Sequence, residues 1–236
     1  MSRQDFPSGY EGLRVGFTAA VSHELRTPLA RLLSLLDTAK LPGVDVDELI
    51  EEACAEVVEM TQLVDDILFL SELEQGREVV ALGFTELAPY VDEMFEVSRE
   101  RALRAELALE SDVPPGLVVP LRPRMLQVLL GNLLDNALRY AGRGATFRIS
   151  AVREGDLILL DVSDDGAGVD AADVPRLFER FFRSDRSRAT RGTGLGLAIV
   201  KHIITAADGT AEVEGAPGEG TRFRFVLPAP RSARII

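Results

Sequence analysis

Histidine, carboxylate, hydroxyl and proline stand within seven residues in Ser22-His23-Glu24-Leu25-Arg26-Thr27-Pro28. An imidazole becomes a nucleophile when one ring nitrogen is free and a neighbouring carboxylate takes or orients the proton on the other. Glu24 is placed for that task. The segment carries helical spacing, with Val21, Leu25, Leu29, Leu32 and Leu36 on one stripe. At about 100° per residue, His23 lies about 140° or more from the centre of that stripe, so it points to solvent. Thr27 shares its face one turn on, and Glu24 and Arg31 flank it. Pro28 removes a backbone donor inside the helix and should kink it below the site. A histidine on a polar helix face is most often merely solvated. A proline inside a strong helical pattern is costly without a reason, which argues for more.

Three other segments are candidates for one ligand pocket. Asp164-Asp165-Gly166-Ala167-Gly168 follows an expected strand. A carboxylate at a strand end can enter a crevice, and Gly166 and Gly168 let the backbone approach a ligand closely; an ordinary turn explains the same residues equally well. Arg191-Gly192-Thr193-Gly194-Leu195-Gly196-Leu197 opens a helix. Its alternate glycines free backbone amides, and a helix N-terminus favours phosphate oxygens. A dinucleotide-binding turn needs a strand immediately before it and Gly-x-Gly-x-x-Gly spacing. Here the preceding stretch, Ser184 to Arg191, is a polar, basic run, so that reading fails. Asn132-Leu133-Leu134-Asp135-Asn136-Ala137-Leu138-Arg139-Tyr140 reads as a helix whose apolar face carries Leu129, Leu133 and Ala137. Asn132 and Asn136 are four apart and share a face, and carboxamides are poor helix choices without a task. Their oxygens suit a hard cation that keeps several waters and bridges phosphates, and Arg139 can meet phosphate oxygens. Simple capping or solvation is the alternative.

Two periodic regimes must position these groups. The His23 helix breaks at Leu41-Pro42-Gly43. A second helix starts where Asp45 and Glu48 resemble a capping box. Its stripe of Ile50, Ala53, Val57, Met60, Val64 and Ile67 has heptad spacing, with Glu51, Glu52, Glu56, Glu59 and Asp65 expected to be solvated on other faces. Cys54 is expected as a small packing residue. One such hairpin buries its stripe poorly, so two copies forming a four-helix bundle are the natural solution. From Phe84 onward helices and strands mix. Helices are expected over 87–103, 124–140 and 195–206, with strands over 106–110, 117–119, 145–153, 156–163, 210–214 and 221–227, which is the order of an α+β sandwich with helices on one face of a mixed sheet.

The chain has 236 residues and is 46% apolar, enough for one large or two modest cores. A formal charge of −12 repels nucleic acid and anionic membrane, so neither is an expected partner. A single cysteine excludes an intramolecular disulfide or a cysteine-based metal cluster and suits a cytoplasmic setting. There is no run of 18 apolar residues, so no membrane contact is expected within this chain; the start, Met1 to Tyr10 with Pro7 and Gly9, reads as a loose tail or as a linker cut from a membrane-bound protein whose cytoplasmic part this is.

Taken together, these motifs resemble those of bacterial two-component sensor histidine kinases, and the resemblance covers nearly the whole chain. Phe17 to Leu36 resembles that family's H box, Leu126 to Tyr140 its N box and Asp161 to Val169 its first glycine box. Leu177 to Phe182 resembles its F box, Gly192 to Leu197 its second glycine box, and Gly218-Glu219-Gly220-Thr221 its final glycine segment. Each motif alone is weak to moderate; their order and spacing together are highly specific. The resemblance implies an N-terminal tail or truncated linker over 1–10 and an antiparallel helical dimerisation and phosphotransfer hairpin over 11–76. A linker over 77–83, a Bergerat-type ATP-binding domain over 84–229 and a tail over 230–236 follow. It implies ATP-dependent phosphorylation of His23 assisted by Glu24, with Asp164 accepting from the adenine amino group, Asn136 coordinating Mg²⁺ and Asn132 supporting the phosphates. Arg139 stands where the family often has lysine, and Tyr140 would pack near adenine. Gly166, Gly168 and Gly192-Thr193-Gly194-Leu195-Gly196-Leu197 would line the nucleotide. Ser184 to Arg191 would be a lid anchored by Phe178, Phe181 and Phe182, which serve equally as core aromatics. The implied partners are a second copy of the chain and a response-regulator receiver domain, which Glu24-Leu25-Arg26-Thr27 would also help dephosphorylate through Thr27.

Two positions depart from the family pattern: Leu121-Arg122-Pro123 lacks a capping aspartate, and Ala207-Asp208-Gly209 replaces the usual His-Gly-Gly. Rival readings are another ATPase on the same nucleotide fold, a binding-only scaffold, and a kinase of serine in a partner. The first lacks the His23 hairpin, and intact Asn136, Asp164 and glycines argue against the second.

Overall fold

The computed structural model describes residues 8–74, 83–184 and 192–230, with side chains from 21 onward. Most of the expected tails, of the linker and of the lid loop lies outside the described residues. Two compact units emerge: the segment up to Ile67 with Gly192 and Thr193, and the remainder from Leu68.

The first unit is a helical hairpin of α1 (Ser8–Thr38) and α2 (Val46–Glu74). Helix α1 continues through Pro28. It stops at a turn in which the Leu41 amide donates to Thr38 (2.9 Å) and Gly43 takes a left-handed φ of 82°. Asp45 then caps α2 as expected, its Oδ1 accepting from the amides of Asp47 (3.1 Å) and Glu48 (3.2 Å) and so satisfying two otherwise orphaned donors. The heptad stripe is only partly covered, since Leu29, Leu36, Ile50, Val57 and Val64 all remain more than 40% exposed. Two expectations are corrected here. Glu56 is not solvated but 3% exposed, and its Oε1 accepts from Arg31 Nη1 at 3.4 Å. The face of α2 turned inward is the one shared by Glu56 and Leu63, seven apart, which leaves the Ile50–Val57–Val64 row to the outside. Cys54 is exposed rather than packed, because it falls on neither row.

The second unit begins within α2, whose last turns bury Phe69, Leu70 and Leu73. The Arg124 guanidinium lies 5.4 Å from the Phe69 ring centre. A two-stranded sheet pairs β1 (Thr85–Glu86) with β3 (Val118–Val119). The main sheet has the order β2-β4-β5-β7-β6, from β2 (Ala108–Asp112), β4 (Thr146–Glu154), β5 (Leu157–Asp164), β6 (Thr210–Ala216) and β7 (Gly220–Pro228). Among the described strands of this sheet, β2 and β4 run parallel and the other pairs are antiparallel. Strict alternation turns Phe147, Ile149, Ile158, Leu160, Val162, Phe223, Phe225 and Leu227 to one face, where they are buried. The other face carries ion pairs, Arg148 with Glu110 and both Arg222 and Arg224 with Asp161.

Helices α3 (Leu87–Ala105), α4 (Pro123–Tyr140) and α5 (Gly196–Ala206) supply the apolar rows that complete the core. Pro123 opens α4 at the position where a missing N–H is harmless, and no side chain caps it, in line with Arg122 standing where a capping residue could. Leu126, Leu129, Leu130, Leu133 and Leu134 of α4 and Ile199, Val200, Ile203 and Ile204 of α5 are almost fully buried. Each Leu or Ile so buried contributes about 1.5–3 kcal/mol of transfer free energy. Asp208 ends α5 in a left-handed conformation (φ 57°), and the Gly209 amide donates back to Ile204 at 2.9 Å, so Ala207-Asp208-Gly209 closes the helix without the usual glycine pair. The antiparallel hairpin followed by an α+β sandwich matches the expected fold class.

Candidate functional site

In the first unit His23 is displayed as the spacing predicts, with its side chain 76% exposed. Glu24 Oε1 stands 4.0 Å from Nδ1. That is beyond hydrogen-bond reach but close enough for a modest side-chain rotation to orient the ring. A carboxylate on the Nδ1 side leaves Nε2 for a reacting group. Thr27 Oγ1 donates to the His23 carbonyl at 3.4 Å, which holds the hydroxyl on the same face. Thr193 also groups with this unit, its hydroxyl donating to Asp66 Oδ2 at 3.1 Å.

In the second unit Asp164 ends β5, and its Oδ1 accepts from the Gly166 amide at 3.1 Å. Burial pushes its carboxyl above the usual range, as does the neighbouring charge of Asp165, while the backbone amides of Gly166 and Thr221 pull it back. A half-buried carboxylate at a strand end, held by two amides, keeps acceptor capacity for one more donor.

The loop after it is held by close backbone packing. A Cβ on Gly166 would overlap Ala141, whose carbonyl accepts from the Ala167 amide at 2.8 Å. Gly168 (φ 65°) lies against the Ala216 carbonyl, and Gly220 (φ 80°) against the carbonyl of Asp164. The Gly218 amide completes the clamp on Ala167 at 2.9 Å. Sequence reasoning noted Gly218 to Thr221 but gave it no role, and it missed Ala141 and Ala216 altogether, because backbone walls leave no side-chain signature.

Asn132 and Asn136 both lie half-buried on α4, and Arg139 and Tyr140 are exposed at its end, next to Ala141. Asn132 Nδ2 donates to the Val128 carbonyl at 2.8 Å. Its Oδ1 lies against Gly196, the first residue of α5. Leu195 is fully buried and Leu197 half-buried, so the glycine turn is anchored at Leu195. Gly194 accepts from the Phe181 amide at 2.9 Å, and Phe181 takes a left-handed φ of 60° there. That bond ties together the two ends of the segment expected to be a lid, whose residues 185–191 lie outside the described ones. Phe178 packs edge-on against Phe223 (6.2 Å), and Phe182 lies under Arg176 (4.2 Å).

These residues fit a nucleotide accompanied by a partly hydrated divalent cation. Among the described residues no cluster of three or more His, Cys, Asp or Glu could hold a metal by itself. A single carboxamide such as Asn136 suits an ion that takes its other ligands from phosphates and water. A concavity of about 480 Å³ opens at the end of β5, lined by Asp164, Asp165, Ala216, Gly220 and Thr221 and, further out, by Arg148, Glu214 and Arg222. It thus joins the Asp164 clamp to exposed residues of the ion-paired sheet face, while the α4 asparagines are not part of its lining.

Comparison with known proteins follows the same division. The family described as "His Kinase A (phospho-acceptor) domain" matches residues 13–76. The one described as "Histidine kinase-, DNA gyrase B-, and HSP90-like ATPase" matches residues 122–231. The sensor-like histidine kinase SenX3 of Mycobacterium tuberculosis is 37% identical over 225 residues, which cover 93% of this chain and 55% of that protein. The chain thus spans about half the length of the curated relatives it matches. Among solved structures, the Acinetobacter baumannii histidine kinase AdeS superposes with a TM-score of 0.73 at 27% identity, covering 89% of this chain and 98% of that one. The mycobacterial sensor histidine kinase MprB gives 0.56 at 30% identity, covering 62% of this chain and 98% of that one. With a phospho-acceptor hairpin and an ATPase domain of this type in one polypeptide, the chain belongs to the family of two-component sensor histidine kinases.

Proposed function

We propose that this chain binds ATP with Mg²⁺, phosphorylates its own His23, and passes the phosphoryl group to an aspartate of a response-regulator receiver domain. The observation that carries the reading is the exposed imidazole of His23, with Glu24 at 4.0 Å and Thr27 held on its face. Nε2 attacks the γ-phosphorus in line. The bond to the β,γ-bridging oxygen breaks, ADP leaves, and Glu24 orients the Nδ1 proton and stabilises the ring as it gains charge. Asp164 accepts from the adenine amino group, and Gly166 and Gly168 admit the base. The amides of Gly192 to Leu197 meet the phosphates. Asn132, Asn136 and Arg139 serve the triphosphate, with Asn136 as the one protein ligand of Mg²⁺, and Tyr140 flanks the base. The cation, when bound, neutralises phosphate charge. Catalysis is then mostly positioning.

The partly covered leucine and valine rows of the hairpin support a second copy of the chain as the bundle partner. Thr27 supports a further role, placing a water against the regulator's phospho-aspartate. Incubation with γ-labelled ATP and Mg²⁺ should give an acid-labile, alkali-stable label on the protein, absent from His23→Gln. Label that survives His23→Gln removes the assignment.

A further inference from the structure

The side chain of Asn132 is turned in a way that direct phosphate contact does not require. Its Nδ2 is committed to the Val128 carbonyl one turn back (2.8 Å), which swings Oδ1 onto the first residue of α5. There it meets Gly196. A Cβ on that glycine would overlap Oδ1 and come within 3.1 Å of Cγ. Gly196 has an ordinary φ, unlike Gly194 (φ 68°), so its backbone conformation is open to any residue. Space is therefore what glycine provides at this position. The carboxamide of Asn132 thus lies as a polar group against the first residue of the helix.

We infer that Asn132 is a positioning residue that seats the N-terminus of α5 on α4, with Gly196 as the matching recess. Fixing that junction fixes the Gly194–Leu197 turn, where the nucleotide reading places the phosphates, and the inference rests on that reading for its effect on ATP. It departs from a role in which Asn132 contacts phosphate itself.

The consequence is an unusual mutant cycle. Alanine is the better helix former, so Gly196→Ala should stabilise α5 if nothing opposed it. With Asn132 present, the new methyl instead displaces the carboxamide and the turn beside it. Removing the carboxamide makes room. For residues in contact a coupling of this kind amounts to roughly 2- to 150-fold in an equilibrium constant.

The test uses the whole chain in four forms: wild type, Asn132→Ala, Gly196→Ala and the double variant. Mg·ATP affinity is measured by titration calorimetry, and thermal unfolding is followed without nucleotide. Gly196→Ala alone should weaken ATP binding at least about tenfold and lower the melting temperature. In the double variant the glycine substitution should carry no further penalty, with affinity within about threefold of Asn132→Ala and a melting temperature equal to or above it. Losses that multiply in the double variant overturn the inference, because they mean that Asn132 and Gly196 act separately. If Gly196→Ala does not fold, amide exchange in Asn132→Ala decides: faster exchange at Leu197 to Val200 supports the seat, and unchanged exchange refutes it. Should the wild type not bind ATP at all, the nucleotide reading fails, while the unfolding cycle still reports on the junction.

Discussion

Replacing Asp164 with asparagine keeps the size of the side chain and changes two physical terms in opposite directions. The carboxylate is half-buried at the end of β5, and this burial raises its pKa above the ordinary carboxylate value. In such a case the folded state holds its proton more tightly than the unfolded chain. Stability is therefore greatest below the unfolded value near 3.8 and falls as pH rises from there through the raised folded value. Above that range the cost of the buried charge is constant. Asparagine removes it, so the stability of Asp164→Asn minus that of wild type should increase with pH across this window and then level off, the other titrating groups cancelling.

The nucleotide term has the other sign. The carboxamide can still accept from Gly166 through its oxygen, but it then presents an NH₂ where the adenine amino group would donate. Losing a hydrogen bond to a charged acceptor costs about 1.5–3 kcal/mol, roughly a 10- to 150-fold loss of ATP affinity. GTP carries an acceptor oxygen at that position, so its affinity should hold or rise, and the ATP-to-GTP ratio should collapse by about tenfold or more. Calorimetric titration with both nucleotides, paired with urea unfolding between pH 4 and pH 8, reads both terms. A parallel loss for ATP and GTP, or unchanged ATP affinity, would refute the assignment of Asp164 to the base.

Two more outcomes follow from named contacts. Thr27→Ala should slow dephosphorylation of the regulator by about 10²-fold through loss of water positioning while leaving His23 phosphorylation intact, as followed by label release in paired assays; equal loss of both would exclude that role. Gly218→Ala and Gly220→Ala share a left-handed φ of 78° and 80°, but a Cβ meets open space at the first and the Asp164 backbone at the second. The first should cost about 1–2 kcal/mol of unfolding free energy and the second clearly more, with weaker ATP binding only in the second.

On the proposed function, so acidic a protein has to hold an anionic substrate. With a net charge of −12, long-range attraction is absent, so that reading requires the phosphates to be met at short range, the role it gives to backbone amides, Arg139 and a cation. The close backbone packing at Gly166, Gly168 and Gly220 fixes the loop beside Asp164.

Much of this was determined locally, by the sequence alone. The exposure of His23 follows from its angle to the Leu25–Leu29–Leu32 row, and the Asp45 cap follows from its own short side chain. The hairpins β4–β5 and β6–β7 follow from alternation around Glu154-Gly155 and Gly215–Gly220. Each of these reports only how a segment faces its own surroundings. The tertiary structure alone decided what depends on two distant segments meeting. It buried Glu56 beside Arg31, because inter-helix rotation and not composition selects which row of α2 turns inward. It paired β2 with β4 in parallel and joined β5 to β7, contacts that require a crossover and so leave no periodic trace. It set the Asn132 carboxamide into the space left by Gly196, 64 positions later in the chain, because an absent side chain acquires meaning only when a neighbour fills the gap.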